Sequence, residues 1–329
     1  MKRRLERLCL NEIVEMPKIS YPTPTLRIRL EVVYVEPEVE DKRITLEEAV
    51  KLIPDGAHLG WGGFGYQRPP MAFSHELVRQ NKRNLTLYTC GSEIDIDILA
   101  GAGVATRFEL AFFGIEGIGL APNLQRRIRE GKVEIEDYTN LAMALRFLGG
   151  ALGVPFMPVK SMLGTDLITK SKFREKKAVV INCPFTGEPV CLVPSIRPDF
   201  SIIHVQRVDR EGNVQIDGIV GEDGELAKAG KKTIVLAEEI VDVELTRTNP
   251  QATVIPGIYV DYVVECPWGS YPMQVYNYYD LDLEHIRMYY TQCKTEEGWQ
   301  KYLDEYILSV ENHMGFLKKI GIERLLKLR

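Results

Sequence analysis

The sequence predicts an α/β fold: a mostly parallel sheet flanked by helices, with further helices at the C-terminal end. Short apolar runs of strand length recur along the chain, for example LTLY at residues 85–88 and TIVL at 233–236. Helical segments alternate with these runs, and glycine-rich turns connect the two. Buried strands that alternate with helices are typical of parallel sheets, because the helices then cover both faces of the sheet.

The first regular element is a helix that begins after Thr45. Glu48 follows three residues later, which is the spacing of a capping box, and PDG at residues 54–56 ends the helix. Other strands are predicted at 108–113, 178–181 and 200–204, and other helices at 70–79, 94–99, 122–130 and within 281–329.

The chain divides into an N-terminal extension, residues 1–42, and a single domain, residues 43–329. The extension contains four prolines and an apolar–polar alternation at residues 26–32 that suits one edge strand. Only after this extension does the chain have a globular composition and a helical periodicity.

Composition excludes several classes of protein. A formal net charge of −5, without a long basic cluster, argues against a nucleic-acid-binding surface. No apolar stretch approaches the roughly 20 residues that a membrane helix needs, and the N-terminus lacks the pattern of a secretory signal. The six cysteines are far apart, without a C-x-x-C pair, so we expect reduced thiols in a cytoplasmic protein and neither a metal site nor a disulfide framework.

One glycine-rich loop has several interpretations. Residues 60–65 read GWGGFG and match the dinucleotide fingerprint G-x-G-x-x-G. Two prolines at 69–70 delay the next helix, however, and the segment 85–90 lacks the acid expected at the end of the second strand. The loop is therefore a nicotinamide site, a tight turn without function, or a backbone cradle for a thioester or its oxyanion.

Two further glycine-bearing turns follow predicted strands, at residues 91–93 (GSE) and 114–119 (GIEGIG). Ligands of open α/β sheets bind outside the carboxyl ends of the strands. Three such turns in succession favour a built site, in which Glu93 and Glu116 are the carboxylates.

Short segments of the domain occur in an order that carries a resemblance. They are TL at 45–46 with AV at 49–50, GGF at 62–64 with RP at 68–69, residues 114–127, GK at 131–132 with EDY at 136–138, residues 152–158 and 164–167, NCPF at 182–185, IH at 203–204 with residues 209–213, IPG at 255–257 with VD at 260–261, and PWG at 267–269. In this order they resemble the alpha subunit of glutaconate CoA-transferase and its relatives among the family I CoA-transferases. The chain departs from some members at Tyr271, where they have histidine before the proline, and in its N-terminal extension.

The resemblance implies a fold of the NagB/RpiA/CoA-transferase type and an active site at the interface with a beta-type subunit. It implies that a glutamate of the partner attacks the acyl-CoA and forms a glutamyl-CoA thioester. Coenzyme A thioester and a carboxylic acid are then the substrates, with no bound cofactor. We expect this chain to supply Glu116 as its catalytic residue. Substrate- or CoA-binding positions are expected at Gly62, Gly63, Phe64, Gly91, Ser92, Gly114 and Gly117, with backbone donors at Gly62 and Gly63.

A related hydrolase is the main alternative. Subunits that open steroid rings as CoA esters also resemble this chain, and they use a glutamate of the alpha-like subunit with water. The corresponding segment here reads DYTN at 137–140, and Asn140 cannot act as a base, so the transferase is favoured. A nicotinamide-dependent oxidoreductase and a non-catalytic ligand-binding protein are the alternatives of other classes.

Overall fold

A parallel sheet organises residues 40–173 and 175–329, the part of the chain that the computed structural model describes. The strands are β1 His58–Trp61, β2 Leu85–Ser92, β3 Ala105–Phe113, β4 Glu134–Asp137, β5 Phe156–Val159, β6 Val179–Asn182, β7 Pro189–Pro194, β8 Phe200–Asp209, β9 Val214–Gln215, β10 Lys232–Val241, β11 Thr253–Ile255 and β12 Tyr262–Glu265. Strands β4, β3, β2, β1, β8, β10 and β12 lie side by side in that order, and every neighbouring pair is parallel. This arrangement confirms the predicted fold class.

Helices cover both faces of this sheet. They are α1 Leu46–Lys51, α2 Met71–Arg79, α3 Ile94–Gly101, α4 Pro122–Arg129, α5 Asn140–Leu152, α6 Asp223–Ala229, α7 Val243–Thr248, α8 Leu283–Gln292, α9 Glu296–Tyr302, α10 His313–Ile320 and α11 Ile322–Leu326. A π-helical segment, Leu303–Leu308, continues α9. The predicted C-terminal helices are thus present, and the predicted capping box of Thr45 and Glu48 opens α1. No helix of the described residues is both long and apolar enough to cross a membrane.

Alternate strand residues belong to two different cores. Leu85 and Leu87 of β2 pack in a core with α1, α2 and α3, whereas Tyr88 and Cys90 pack in a core with α5 and α6. Because both faces are buried, the strands have continuous apolar sequences instead of an alternating pattern. That is why the apolar runs were recognisable as strands.

A second, smaller sheet differs from the prediction. Strands β5, β7 and β6 form a three-stranded antiparallel sheet. The strand predicted at 178–181 is β6 of this sheet and not part of the parallel one, and all four of its residues are exposed. Local composition predicts the strand but not its partner, because pairing depends on tertiary context. The edge strand predicted at 26–32 lies outside the described residues, as does nearly all of the extension.

Helix α5 packs closely on the segment that leads into β8. A β-carbon on Gly150 would come within 1.8 Å of the carbonyl oxygen of Ile196 and 3.0 Å of Ala229 in α6. The amide of Ile196 also donates to the carbonyl of Arg146, over 3.0 Å. Gly150 thus allows two backbones to touch.

We predict that Gly150→Ala destabilises the protein by about 1–3 kcal/mol, because the methyl group forces α5 away from residue 196. Gly224→Ala in α6 is the matched control: apart from the helix's own backbone, no atom of the described residues lies within 4 Å of the new β-carbon. There, alanine favours the helix by about 0.5–1 kcal/mol. Denaturant unfolding of both variants measures the difference, and equal stability of the two would contradict the packing argument.

Candidate functional site

The loops that follow β1, β2 and β3 meet at the carboxyl edge of the parallel sheet. The amide of Gly65, after β1, donates a hydrogen bond of 3.3 Å to the carbonyl of Gly91 in β2. The amide of Glu116, after β3, donates to Oε2 of Glu93, which follows β2, over 3.1 Å. The hydroxyl of Tyr66 donates to the carbonyl oxygen of Glu116. Hydrogen bonds therefore join the three loops into one cluster.

The first loop holds its glycines against the protein's own polar groups. The amide of Gly62 donates to the carbonyl of Ile202 in β8, and the amide of Gly63 donates to Oδ1 of Asp223, both over 2.9 Å. A β-carbon on Gly62 would lie 2.7 Å from the same Asp223 oxygen, and Gly63 has a positive φ of 81°. In this arrangement both amides already have acceptors within the chain, so neither is free to serve as the expected backbone donor.

A buried ion pair fixes the end of this loop. Nη1 of Arg68 lies 2.6 Å from Oδ2 of Asp223, and both side chains are almost fully buried. The guanidinium also donates to the carbonyls of His204, over 3.0 Å, and Ile219, over 2.6 Å. Sequence reasoning did not identify Asp223 as part of the site, because a single acid at the start of a helix has no distinguishing signal.

Glu93 is a buried carboxyl group with one oxygen unpartnered. Oε2 accepts from Glu116, whereas Oε1 has no hydrogen-bond partner among the described residues and is buried within them. Burial, and to a smaller extent the charges of Asp95 and Glu116, raise the pKa of Glu93 to about 8, although the hydrogen bond from the Glu116 amide lowers it. At neutral pH this carboxyl group is therefore mainly protonated and can donate a hydrogen bond.

Glu116 is exposed, and its side chain extends over Gly65. A β-carbon on Gly65 would be 3.6 Å from Oε2 of Glu116 and 3.8 Å from Oε1 of Glu93, so the missing side chain leaves a gap that both carboxyl groups border. Burial, together with the charges of Glu93 and Glu116, raises the pKa of Tyr66 to about 12. Tyr66 therefore remains a hydrogen-bond donor at neutral pH. Neither Gly65 nor Tyr66 was among the predicted site residues.

The other predicted positions lie around this cluster. Phe64 is half-buried, and a β-carbon on Gly221 would lie 3.4 Å from its own β-carbon. Ser92 is buried with its hydroxyl 3.3 Å from that of Thr89. Gly114 is buried beside the ring of Phe112, and Gly117 is exposed with a φ of 70°. The structure thus brings Gly91, Ser92, Gly114 and Gly117 to the loops of Glu93 and Glu116, and it leaves Gly62 and Gly63 against β8 and α6.

Most of the described chain matches a known protein family. Residues 43–266 match the profile of the family described as Coenzyme A transferase. The chain belongs to the coenzyme A transferase family. The resemblance drawn from the ordered sequence segments is therefore confirmed.

Three relatives indicate where in the coenzyme A transferase family the chain lies. It is 41% identical to an uncharacterised protein of Archaeoglobus fulgidus over 89% of this chain, and it spans 65% of that protein's length. It is 34% identical to the A subunit of the 3-oxoadipate CoA-transferase of Pseudomonas knackmussii, over 84% of this chain and 98% of that one. It is also 34% identical to the A subunit of the glutaconate CoA-transferase of Acidaminococcus fermentans, over 88% of this chain and 94% of that one.

The crystal structure of glutaconate coenzyme A-transferase from Acidaminococcus fermentans has the same fold. It superposes with a TM-score of 0.82 and 33% sequence identity, covering 87% of this chain and 95% of that one. The mostly parallel sheet flanked by helices is thus a shared feature of this CoA-transferase and the present chain.

The geometry of the chain bears on the nicotinamide and hydrolase alternatives and on metal binding. Helix α2 begins only at Met71, six residues after Gly65, so the glycine-loop amides do not point from a helix start as in a dinucleotide site. Asn140, the position considered for a hydrolase base, is exposed at the start of α5, where Thr139 caps the helix. Among the described residues, no three or more His, Cys, Asp or Glu side chains are grouped to hold a metal ion.

We predict that Asp223→Ala destabilises the protein by about 3–5 kcal/mol, because it leaves the Arg68 guanidinium buried without its counter-charge. Asp166→Ala is the control, since Asp166 forms an exposed pair with Lys170 and its removal should change stability little. Thermal and urea unfolding compare the two variants. Similar stability of both would show that the buried pair does not hold the loop.

Proposed function

We propose that the chain is the alpha-type subunit of a two-subunit CoA-transferase, which moves CoA between an acyl-CoA and a carboxylic acid through a glutamyl-CoA thioester on a beta-type partner. The observation that carries the proposal is the convergence of three strand-end loops, with Glu93 and Glu116, at the open carboxyl edge of a member of this family. Ligands of open α/β sheets bind at this edge.

The proposed reaction divides one acyl transfer into steps of similar chemistry. A glutamate carboxylate of the partner attacks the thioester carbonyl, forms a mixed anhydride and expels CoA thiolate. The thiolate then attacks the glutamyl carbonyl of the anhydride, which releases the first acid and leaves CoA as a thioester on the partner. The acceptor carboxylate repeats these steps in reverse order. Such covalent catalysis predicts ping-pong kinetics.

The similarity to two proteins that are each named as one subunit of a CoA-transferase supports a division of labour between two chains. Under this proposal the partner supplies the nucleophile. The present chain forms one wall of the site and contributes the Glu116 carboxylate, which contacts the substrate or orients the partner's glutamate. The hetero-oligomer and the cytoplasmic location remain predictions of the same proposal.

We predict that the chain purified together with its beta-type partner exchanges CoA between an acyl-CoA and a free acid, and that neither chain does so alone. Incubation with acyl-CoA but no acceptor should release at most one equivalent of acid and leave CoA covalently attached to the partner. Intact-protein mass spectrometry locates the attached CoA. Continuous release of free CoA would indicate a hydrolase, and attachment to the present chain would contradict the assigned nucleophile.

We predict that Glu116→Gln lowers kcat of the complex by about 10²-fold or more, as loss of a positioned acid–base group does. The substitution removes a charge and keeps the shape of the side chain. Glu297→Gln on α9 is the matched control, because Glu297 is also an exposed glutamate but lies among the C-terminal helices. Turnover of Glu116→Gln equal to that of the control would remove Glu116 from the site.

A further inference from the structure

Glu116 is held in place by its backbone. Its amide donates to the carboxyl group of Glu93, and its carbonyl accepts from the hydroxyl of Tyr66. The two partners come from different loops, those that follow β2 and β1. An exposed loop residue needs no such support, since water can satisfy both of its backbone groups. The two hydrogen bonds therefore fix the direction in which the Glu116 side chain leaves the loop.

Glu93 differs from the two acids that follow it on α3. Asp95 accepts from the indole of Trp61 over 2.6 Å and from the amide of Glu93 over 2.8 Å. Asp97 accepts from the amide of Leu124 over 2.7 Å, among other donors. The carboxyl groups of these two buried acids accept hydrogen bonds. In the part of the chain that the structure describes, Oε1 of Glu93 is instead buried without a partner, and it borders the gap over Gly65. A buried polar atom left unpartnered is costly and calls for an explanation, and the place of Oε1 at the edge of the gap supplies one.

We propose that Glu93 is the positioning residue of this site: one carboxyl oxygen holds the Glu116 loop, and the other faces the gap over Gly65, where the Glu116 carboxylate lies. Glu93 acts through Glu116, so this inference rests on the proposed function of Glu116. Gly65 is required in the same arrangement, because a side chain there would fill the gap that both carboxyl groups border.

The protonation state of Glu93 decides how its second oxygen, Oε1, interacts with the Glu116 carboxylate. Three titratable groups face it: Asp95 from its own helix, Glu116 from the loop after β3, and Tyr66 from the loop after β1. Because the pKa of Glu93 is raised to about 8, the carboxyl group is neutral below that pH and can donate from Oε1. Above it, the ionised group repels both Asp95 and Glu116. The donor at Oε1 is therefore present below about pH 8, and as the pH rises through this value it is replaced by repulsion of the Glu116 carboxylate. The bond from the Glu116 amide to Oε2 favours the ionised group and is kept.

The test uses Glu93→Gln, Glu93→Ala and Tyr66→Phe in the reassembled complex, with kcat and KM for the acyl-CoA measured between about pH 6 and 9.5, on either side of the raised carboxyl pKa. Glutamine keeps an acceptor for the Glu116 amide and a donor towards the gap, and it does not titrate, so kcat should stay within about threefold of wild type. The fall in kcat above pH 8 that we expect for wild type should disappear in this variant.

Alanine removes the support and should lower kcat by about 10²-fold across the pH range, with KM changed little, as expected when a reacting group is misplaced by about 1 Å. Tyr66→Phe removes only the bond to the Glu116 carbonyl, so it should lower kcat while the alkaline fall remains. The Tyr66→Phe variant keeps the Glu93 side chain. It therefore still tests whether the backbone of Glu116 must be held if Glu93→Ala does not fold.

Distinct results overturn the proposal. Glu93→Gln as inactive as Glu93→Ala would make Glu93 a base or nucleophile in its own right. An alkaline fall that persists unchanged in Glu93→Gln would assign the titration to another group and reject the positioning role. A wild-type complex that exchanges no CoA would reject the proposed function and this inference with it, whereas an active wild type with a fully active Glu93→Ala would reject this inference alone.

Discussion

The shortness of β1 is the constraint on which the site depends. This central strand has four residues, whereas its neighbours β2 and β8 have eight and ten. The chain that follows β1 must therefore run between two longer strands whose edges present unpaired carbonyls. The amide of Gly62 meets Ile202 of β8, and the amide of Gly65 meets Gly91 of β2. A β-carbon on Gly62 would lie 2.7 Å from Asp223 and 3.1 Å from the Ile202 carbonyl, and Gly63 and Gly65 have positive φ, so glycine suits all three positions. This passage brings Gly65 and Tyr66 to the carboxylates of the next two loops.

The cluster has two parts that differ in how their charges are compensated. One is the structural ion pair of Arg68 and Asp223, and the other is the pair of acids available for chemistry. Arg68 and Asp223 compensate each other beneath the first loop, and the guanidinium also donates to the backbone carbonyls of His204 and Ile219. Such a pair is worth little as net stabilisation but strongly penalises any structure in which one member is left alone. It therefore defines the path of the loop. On the other side of Gly65, Glu93 and Glu116 have no cation among their hydrogen-bond partners within residues 40–173 and 175–329, and burial keeps Glu93 protonated.

Much of the fold followed from the sequence because local and tertiary preferences agree. The apolar runs of β2 and β10 are buried on both faces, and the helix after Thr45 has its capping box. Convergence of the strand-end loops followed from parallel topology alone. The role of Gly62 and Gly63 did not, because only the structure shows that Ile202 and Asp223 already accept from their amides.

The difference between Glu93 and Glu116 was equally inaccessible from sequence. Both follow a strand and a glycine-bearing turn, yet one is fully buried and the other exposed. The cause is the start of α3, which turns the chain inward directly after Glu93, while the 114–119 loop is closed on itself by two bonds between Ile115 and Gly119. Such differences arise from long-range packing, which periodicity and composition do not encode.

The C-terminal helices have a consequence for where the folding unit ends. The family match stops at residue 266, but Trp299 and Tyr302 of α9 belong to the same apolar core as β2 and β3. The ring of Trp299 lies so near Gly101 that a β-carbon there would come within 2.8 Å of it. A chain shortened to the matched region would open this core to water. The segment that matches the family is therefore shorter than the segment needed to complete the core. A fusion partner or tag should follow α11 and not β12.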